Sequence, residues 1–192
     1  LAADAVLMNS PGPIVINCST SCITEHVAKQ HGSQCILSAV GEANVVDEML
    51  RSNAVLGGEG NGGVIDPRVG LVRDSFVAMA LILERMCEVG TLTPVTSLIK
   101  DFPPFTIKKT KIVLPFGWSE QDIEKAFGRI AGTFPKATIS KLDGIRIEFT
   151  DSWLLARASN TEPIVRIIAE SADEQQTAYL VEQATEALLC QS

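Results

Sequence analysis

The sequence predicts an α/β domain over residues 1–102, a mixed sheet with helices, followed by an α+β domain over residues 103–192, an antiparallel sheet covered by helices. Three observations carry this. Short apolar runs alternate with helix-period segments through the first part of the chain. Asp101-Phe102-Pro103-Pro104 then intervenes, and adjacent prolines break both helix and ladder. Beyond it, strands follow one another through short turns before a last helix.

In the first domain, Ala2 to Met8 reads as a helix stopped by Pro11-Gly12-Pro13. Ile14 to Cys18 is an apolar run suited to a buried strand. Ser19-Thr20-Ser21 offers capping hydroxyls to a helix with Ile23, Val27 and Ala28 inward, closed by Gly32. Gln34 to Val40 is a strand, and Gly41-Glu42-Ala43-Asn44 leads into a helix with Val45, Val46, Met49 and Leu50 inward. Ala54-Val55-Leu56 is a third short strand. Asp74 or Ser75 caps a helix whose apolar residues, Phe76, Val77, Met79, Ala80, Leu81, Ile82, Leu83, Met86 and Cys87, imply burial on most sides, with Gly90 as its stop. Arg73, just before it, is expected to support the cap or face solvent, with a place facing the site as the alternative. Thr93 to Lys100 reads as a short helix.

In the second domain, Thr106 to Leu114 is a strand, and Ser119-x-x-Asp122 is a capping-box-like start. Ile123, Ala126, Phe127, Ile130 and Ala131 form one helical face, ending at Gly132. Lys136 to Lys141 is a strand, and Asp143-Gly144 a hairpin turn. Ile145, Ile147 and Phe149 alternate with Arg146 and Glu148, a half-buried strand with its charges outward. Trp153 to Ala156 and Ile164 to Ala169 are strands; Asp173 caps a last helix with Leu180, Val181, Ala184 and Leu188 inward.

Composition narrows the functional classes. Hydrophobic residues make up 46% and charged residues 20%, as in ordinary soluble proteins. The net charge is −7. Basic against acidic residues count 6 against 10 over residues 1–100 and 10 against 13 over 101–192. Neither part is basic, which disfavours nucleic acid. The longest apolar patch, Phe76 to Leu83, is too short to span a bilayer, so no membrane partner is expected. No basic segment followed by a short apolar core marks a signal peptide. A first residue Leu1 rather than Met fits a fragment or processed product. Cys18, Cys22, Cys35, Cys87 and Cys190 form no C-x-x-C pair and do not combine with His26 and His31 at zinc spacing. Free thiols in a reducing cytosol are the expectation, hence a cytoplasmic protein.

Two loops carry the candidate chemistry. Arg157-Ala158-Ser159-Asn160-Thr161-Glu162-Pro163 concentrates a guanidinium, two hydroxyls and an amide between two strands. Arg157 can grip two phosphate oxygens, and Ser159 and Thr161 can each donate a hydroxyl. Asn160 tolerates a left-handed backbone, which lets successive N–H groups converge on an anion. The plainer alternative is a solvated polar turn. Gly57-Gly58-Glu59-Gly60-Asn61-Gly62-Gly63 formally matches G-x-G-x-x-G, but Val64-Ile65-Asp66-Pro67 follows instead of a helix, so a dinucleotide site is rejected. Glycines there allow close approach to a ligand, and Glu59 and Asn61 supply the acceptor and amide that suit a sugar. A flexible hairpin tip is the alternative.

Taken together, Val40-Gly41-Glu42-Ala43-Asn44-Val45, the glycine loop with Arg73-Asp74 downstream, and the Arg157 loop resemble the C-terminal half of the α-D-phosphohexomutases, the phosphoglucomutase/phosphomannomutase family. The resemblance covers nearly the whole chain. It implies the third and fourth of four domains around one cleft: a sugar-recognition domain and a phosphate-binding domain. It implies that the whole enzyme moves a phosphoryl group between the 1- and 6-positions of glucose or mannose through a phosphoserine and a bisphosphorylated sugar. Magnesium and a hexose bisphosphate activator come with that reaction. Glu59 and Asn61 would contact the sugar, Asn61 standing where Ser is frequent. Arg157, Ser159, Asn160 and Thr161 would hold the phosphate. Gly63 and Glu42 stand where many or some members carry His. The Gly-Asn-Gly version is more similar to phosphoglucomutase/phosphomannomutase-like members than to phosphoglucosamine mutases. No Ser-His-Asn segment and no D-x-D-x-D run is present. No catalytic residue and no metal ligand is therefore assigned to this chain, and alone it is expected to be inert. Its expected partners are a hexose phosphate and the N-terminal catalytic domains of the same protein. A stand-alone, non-catalytic sugar-phosphate-binding module is the alternative.

Overall fold

A computed structural model describes residues 1–89, 93–100, 102–159 and 161–190. The chain divides into two units, Leu1–Pro103 and Pro104–Ser192.

In the first unit the order is α1 (Ala2–Asn9), β1 (Ile14–Asn17), α2 (Ile23–Gln30), β2 (Cys35–Ser38), α3 (Glu42–Ser52), β3 (Leu56–Gly58), β4 (Val64–Ile65), α4 (Ser75–Val89) and the short α5 (Val95–Leu98). The sheet runs β2-β1-β3-β4. β1 is parallel to β2 and β3, and β4 returns antiparallel to β3. β1 is buried along its whole length because helices cover both faces, so it reads as a continuous apolar run. Ile14 joins Val6, Leu7, Val27, Leu56 and Leu81 from α1, α2, β3 and α4. Val15 meets Val45 and Met49 of α3 on the other side.

Three expectations are corrected in this unit. The third strand begins at Leu56 and runs into the glycines, since Asn53 ends α3 in a left-handed conformation (φ 50) and Ala54 is taken up by the core. Leu50 faces outward, because Val45 and Met49 already define the buried stripe of α3. The largest correction concerns α4. Leu81 is its only buried residue, while Phe76 is 81%, Met79 50% and Leu83 59% exposed. The helix rests on the layer by a narrow stripe, Val77 and Leu81, and offers its other apolar face outward. Asp74 caps it, accepting from Phe76 N at 2.8 Å and Val77 N at 3.1 Å. The expected stop, Gly90, lies outside the described residues.

In the second unit, β5 (Thr106–Val113), α6 (Glu120–Thr133), β6 (Thr138–Ser140), β7 (Ile145–Glu148), β8 (Ser152–Ala158), β9 (Ile164–Ser171) and α7 (Glu174–Leu189) follow in order. The sheet is antiparallel throughout, β5-β9-β8-β7-β6. The capping box at Ser119 forms in both directions: Asp122 N donates to Ser119 Oγ, and Ser119 N to Asp122 Oδ2. α6 continues through Gly132 to Thr133. α6 and α7 cover one sheet face through Ala126, Ile130, Leu180, Ala184 and Leu188 against Ile147, Leu154 and Ile167.

The opposite face is not the solvated one expected. Arg146 is only 2% exposed. Its guanidinium stacks 4.2 Å over the Trp153 ring, and its Nε donates to Glu148. The indole N–H of Trp153 donates to Glu170 at 2.7 Å. Stacking on an aromatic face and pairing with carboxylate offset the cost of burying the charge.

Asp4 of α1 accepts from His31 Nε2 and from Arg85 Nε of α4, both at 2.7 Å. Burial pushes its pKa up, but the hydrogen bonds from His31 and Arg85 outweigh this and hold the carboxyl below the usual range. A carboxyl lowered on folding adds stability above its unfolded value of about 4, lost as pH falls through the folded value. Asp4→Asn should therefore lose less stability than wild type between pH 6 and pH 3 in denaturant titrations followed by circular dichroism. Equal losses would refute the role of Asp4.

Candidate functional site

The glycine loop is the tip of the β3–β4 hairpin. Glu59 N donates to Gly63 O and Gly62 N to Glu59 O, with Gly62 at φ +88. The register Ile16↔Gly58 brings Asn17 beside Glu59 at the C-terminal ends of two parallel strands. Open sheets of this kind bind ligands beyond that edge. The Glu59 side chain is 6% exposed. Its Oε1 accepts from Asn17 Nδ2 at 2.8 Å, and its Oε2 pairs with an Arg73 terminal nitrogen at 2.7 Å. Arg73 Nε in turn donates to Glu42 Oε2 at 2.7 Å. That hydrogen bond from Arg73 holds the Glu42 carboxyl below its usual range and raises Arg73.

The loop glycines have particular duties here. A Cβ on Gly63 would lie 2.5 Å from Arg73 Cδ, so the arginine stem crosses where a side chain would otherwise stand. A Cβ on Gly60 would lie 3.0 Å from the Ser19 carbonyl oxygen and 3.1 Å from Thr20 Cα. The loop thus sits directly on the turn after β1. Asn61 is exposed, and its Oδ1 accepts from Gly63 N at 3.0 Å.

Of the places open to Arg73, the helix cap, solvent or the candidate site, it takes the last and bridges Glu59 and Glu42. The reason is the hairpin, which folds Glu59 back toward the start of α4: Asp74 N donates to Val64 O at 2.8 Å. Ser19 and Thr20 were expected to cap α2. Both hydroxyls donate to Asn17 Oδ1 instead, at 2.8 and 3.0 Å, and Ser21 Oγ accepts from the helix start, at Ile23 N.

In the second unit Arg157 lies near the end of β8 and Ser159 just beyond it. Arg157 Nε donates to Asp143 Oδ2 at 2.9 Å; the two side chains are 14% and 19% exposed. Ser159 N donates to Ile164 O, closing the loop. Ser159 Oγ and Thr161 Oγ1 stand 3.4 Å apart, long for a hydroxyl pair. Asn160 lies outside the described residues. Gly144 makes the Asp143 contact attainable. It has φ +70, and a Cβ there would fall 2.8 Å from Arg157 Cα and closer still to the Ala156 carbonyl.

Two residues of this neighbourhood escaped the sequence reading. Asp143 looked like turn chemistry only; its second duty depends on the β7–β8 register. Arg166 is directly opposite Arg157 in the ladder, and Lys111 is opposite Arg166. Like charges facing each other repel, and carboxylates offset this: Asp143 for Arg157 and Glu162, at 3.3 Å, for Arg166. The symmetry of the β8–β9 connection was the available signal for the arginine pair. Among the described residues, no group of three or more His, Cys, Asp or Glu is arranged to hold a metal ion.

Comparison with known proteins agrees with both architectures. The family model for the alpha/beta/alpha domain III of phosphoglucomutase/phosphomannomutase matches residues 1–105, and that for the C-terminal domain matches residues 119–187. A phosphoglucomutase/phosphomannomutase of Thermococcus kodakarensis is 35% identical over 95% of this chain, which covers 39% of that relative. A probable phosphoglucosamine mutase of the same organism is 32% identical over 90% of this chain and 38% of its own length. Relatives with the two kinds of name thus stand at nearly equal identity. The crystal structure of a phosphoglucomutase/phosphomannomutase family protein from Burkholderia thailandensis superposes with TM-score 0.78 at 22% identity, covering 97% of this chain and 39% of that one. The chain spans about two fifths of the length of the curated relatives it matches. It belongs to the phosphoglucomutase/phosphomannomutase family and comprises the third and fourth domains of that family's fold.

Proposed function

We propose that this chain is the substrate-binding part of a phosphohexomutase that interconverts hexose 1-phosphate and hexose 6-phosphate, with glucose or mannose as the sugar. The observation that carries the reading is a pair of loops with complementary chemistry, each prepared by internal partners. One presents a carboxylate held on both oxygens; the other presents a guanidinium held at Nε beside two loosely paired hydroxyls.

Ring hydroxyls donate, so a carboxylate suits them. Each Glu59 oxygen accepts one internal bond and retains capacity for a second. Two neighbouring ring hydroxyls can therefore be read at once, with the Asn61 amide beside them. A phosphate accepts, so Arg157, Ser159, Asn160 and Thr161 suit it. Arg157 donates Nε–H to Asp143, and the terminal nitrogens of its planar fork suit a phosphate. The long Ser159–Thr161 contact is cheaply exchanged for phosphate oxygens. In the proposed reaction these residues hold the phosphate that is not being transferred. That fixes the opposite end of the sugar for attack and lowers the entropic part of the barrier. The anchor must serve either orientation of the sugar, so it reads phosphate and little else.

The phosphoserine, the magnesium and the response to hexose bisphosphate are assigned to the N-terminal catalytic domains of the full-length enzyme. The exposed apolar face of α4, with Phe76, Met79 and Leu83, supports a covering partner, and those domains are the natural one.

Conversion of glucose 1-phosphate or mannose 1-phosphate to the 6-phosphate is expected of the full-length enzyme with magnesium and bisphosphate activator. This chain alone should give none under the same assay, and turnover by it would overturn the division of labour. Arg157→Ala in the full-length enzyme should weaken hexose phosphate binding by on the order of 1.5–3 kcal/mol, read by calorimetry. Unchanged affinity would remove Arg157 from the site. Gly144→Ala should lower the melting temperature of the second unit by roughly 5–15 °C, from the positive φ alone, and weaken phosphate binding with it. Wild-type melting would show that the Asp143 hairpin tolerates a side chain there.

A further inference from the structure

Asn17 closes β1 and is 2% exposed. Its amide oxygen accepts three hydrogen bonds, from Ser19 N at 3.0 Å, Ser19 Oγ at 2.8 Å and Thr20 Oγ1 at 3.0 Å. A backbone N–H can only donate, so the oxygen is fixed on the side of the turn. The NH2 group must then face Glu59, where it donates to Oε1 at 2.8 Å. The other oxygen of Glu59 is held by Arg73, which is 39% exposed on a long stem. A single exposed partner leaves a carboxylate free to swing about its terminal torsion. A second, buried partner on the other oxygen removes that freedom.

Resting on the sugar-binding reading of Glu59, we propose that Asn17 is a positioning residue for sugar recognition: it sets the plane of the Glu59 carboxylate and locks the glycine loop to the turn after β1. The same turn is the surface against which Gly60 packs: a Cβ built there would fall 3.0 Å from the Ser19 carbonyl oxygen. One buried amide therefore fixes both the loop backbone and the side chain it presents. The ligand class is a sugar with adjacent hydroxyls able to donate to both oxygens of one carboxylate. Asn17 itself touches no substrate; it acts through Glu59.

The test is a double-mutant cycle in the full-length enzyme, with hexose 1-phosphate as substrate. Asn17→Asp is nearly isosteric and keeps an oxygen toward Ser19 and Thr20, but it sets a second oxygen against Glu59. It should raise KM about tenfold or more and reduce kcat less, as expected when ground-state binding is lost. In a Glu59→Gln background, Asn17→Asp should change KM less than about twofold, because a residue that acts through Glu59 has nothing further to lose. Fully additive effects on KM, or a fall in kcat at unchanged KM, would overturn the proposal in favour of a general structural role. Should Asn17→Asp fail to fold in thermal melts, Asn17→Ser is read in the same cycle; it keeps an acceptor near Thr20 but is too short to reach Glu59. A wild-type enzyme that converts no hexose phosphate would defeat the proposed function first, and this inference with it. An active wild type with an indifferent Asn17 would defeat the inference alone.

Discussion

A charged side chain can discriminate a ligand only if its own position is settled beforehand. In this chain that requirement is met by internal counter-groups. Glu59 is bonded on both oxygens, by Asn17 and Arg73. Arg73 is itself tied to Glu42, and Arg157 to Asp143. On the proposed reading, each such pair lowers the freedom that ligand binding would otherwise have to remove, so more of the contact energy would appear as affinity. The exposed ion pairs contribute little to folding stability. Their value lies in geometry, and the backbone around them is shaped accordingly, with Gly63 clearing space for the Arg73 stem and Gly144 for the β8 backbone.

The two units reach this end by different routes. In the first, the candidate sugar loop rests on parallel strands, where β1 and β3 end side by side and release Asn17 and Glu59 together. In the second, the candidate phosphate loop rests on an antiparallel ladder, where cross-strand register decides which charges meet. Arg157 faces Arg166, and Arg166 faces Lys111. The row is tolerable because carboxylates in the flanking turns and loops reach back to it.

Much of the architecture was legible because it depends on local pattern. The apolar run of β1, the capping box at Ser119 and the inward stripe of α7 each follow from spacing alone. The misreadings have a common origin, which is burial decided by distant partners. α4 looked like a core helix because its residues are apolar all round, yet only Leu81 is fully buried. Arg146 looked solvated because it alternates with isoleucines, yet Trp153 and Glu148 enclose it. In the candidate site, Glu59 and Arg157 stood out by residue type within odd loops. Asn17 and Asp143 did not, since a strand terminus and a hairpin turn each explained them adequately on local grounds.

The Arg146–Trp153 stack has an optical consequence. The chain contains two tryptophans, Trp118 and Trp153, and one tyrosine, Tyr179, all in the unit Pro104–Ser192. Trp153 emits from a dry setting, beneath a guanidinium and hydrogen-bonded to Glu170. Intrinsic ultraviolet emission therefore watches one half of the chain and is blind to the other. Paired with a backbone-absorbance signal, it would resolve whether the two halves come apart together or in sequence.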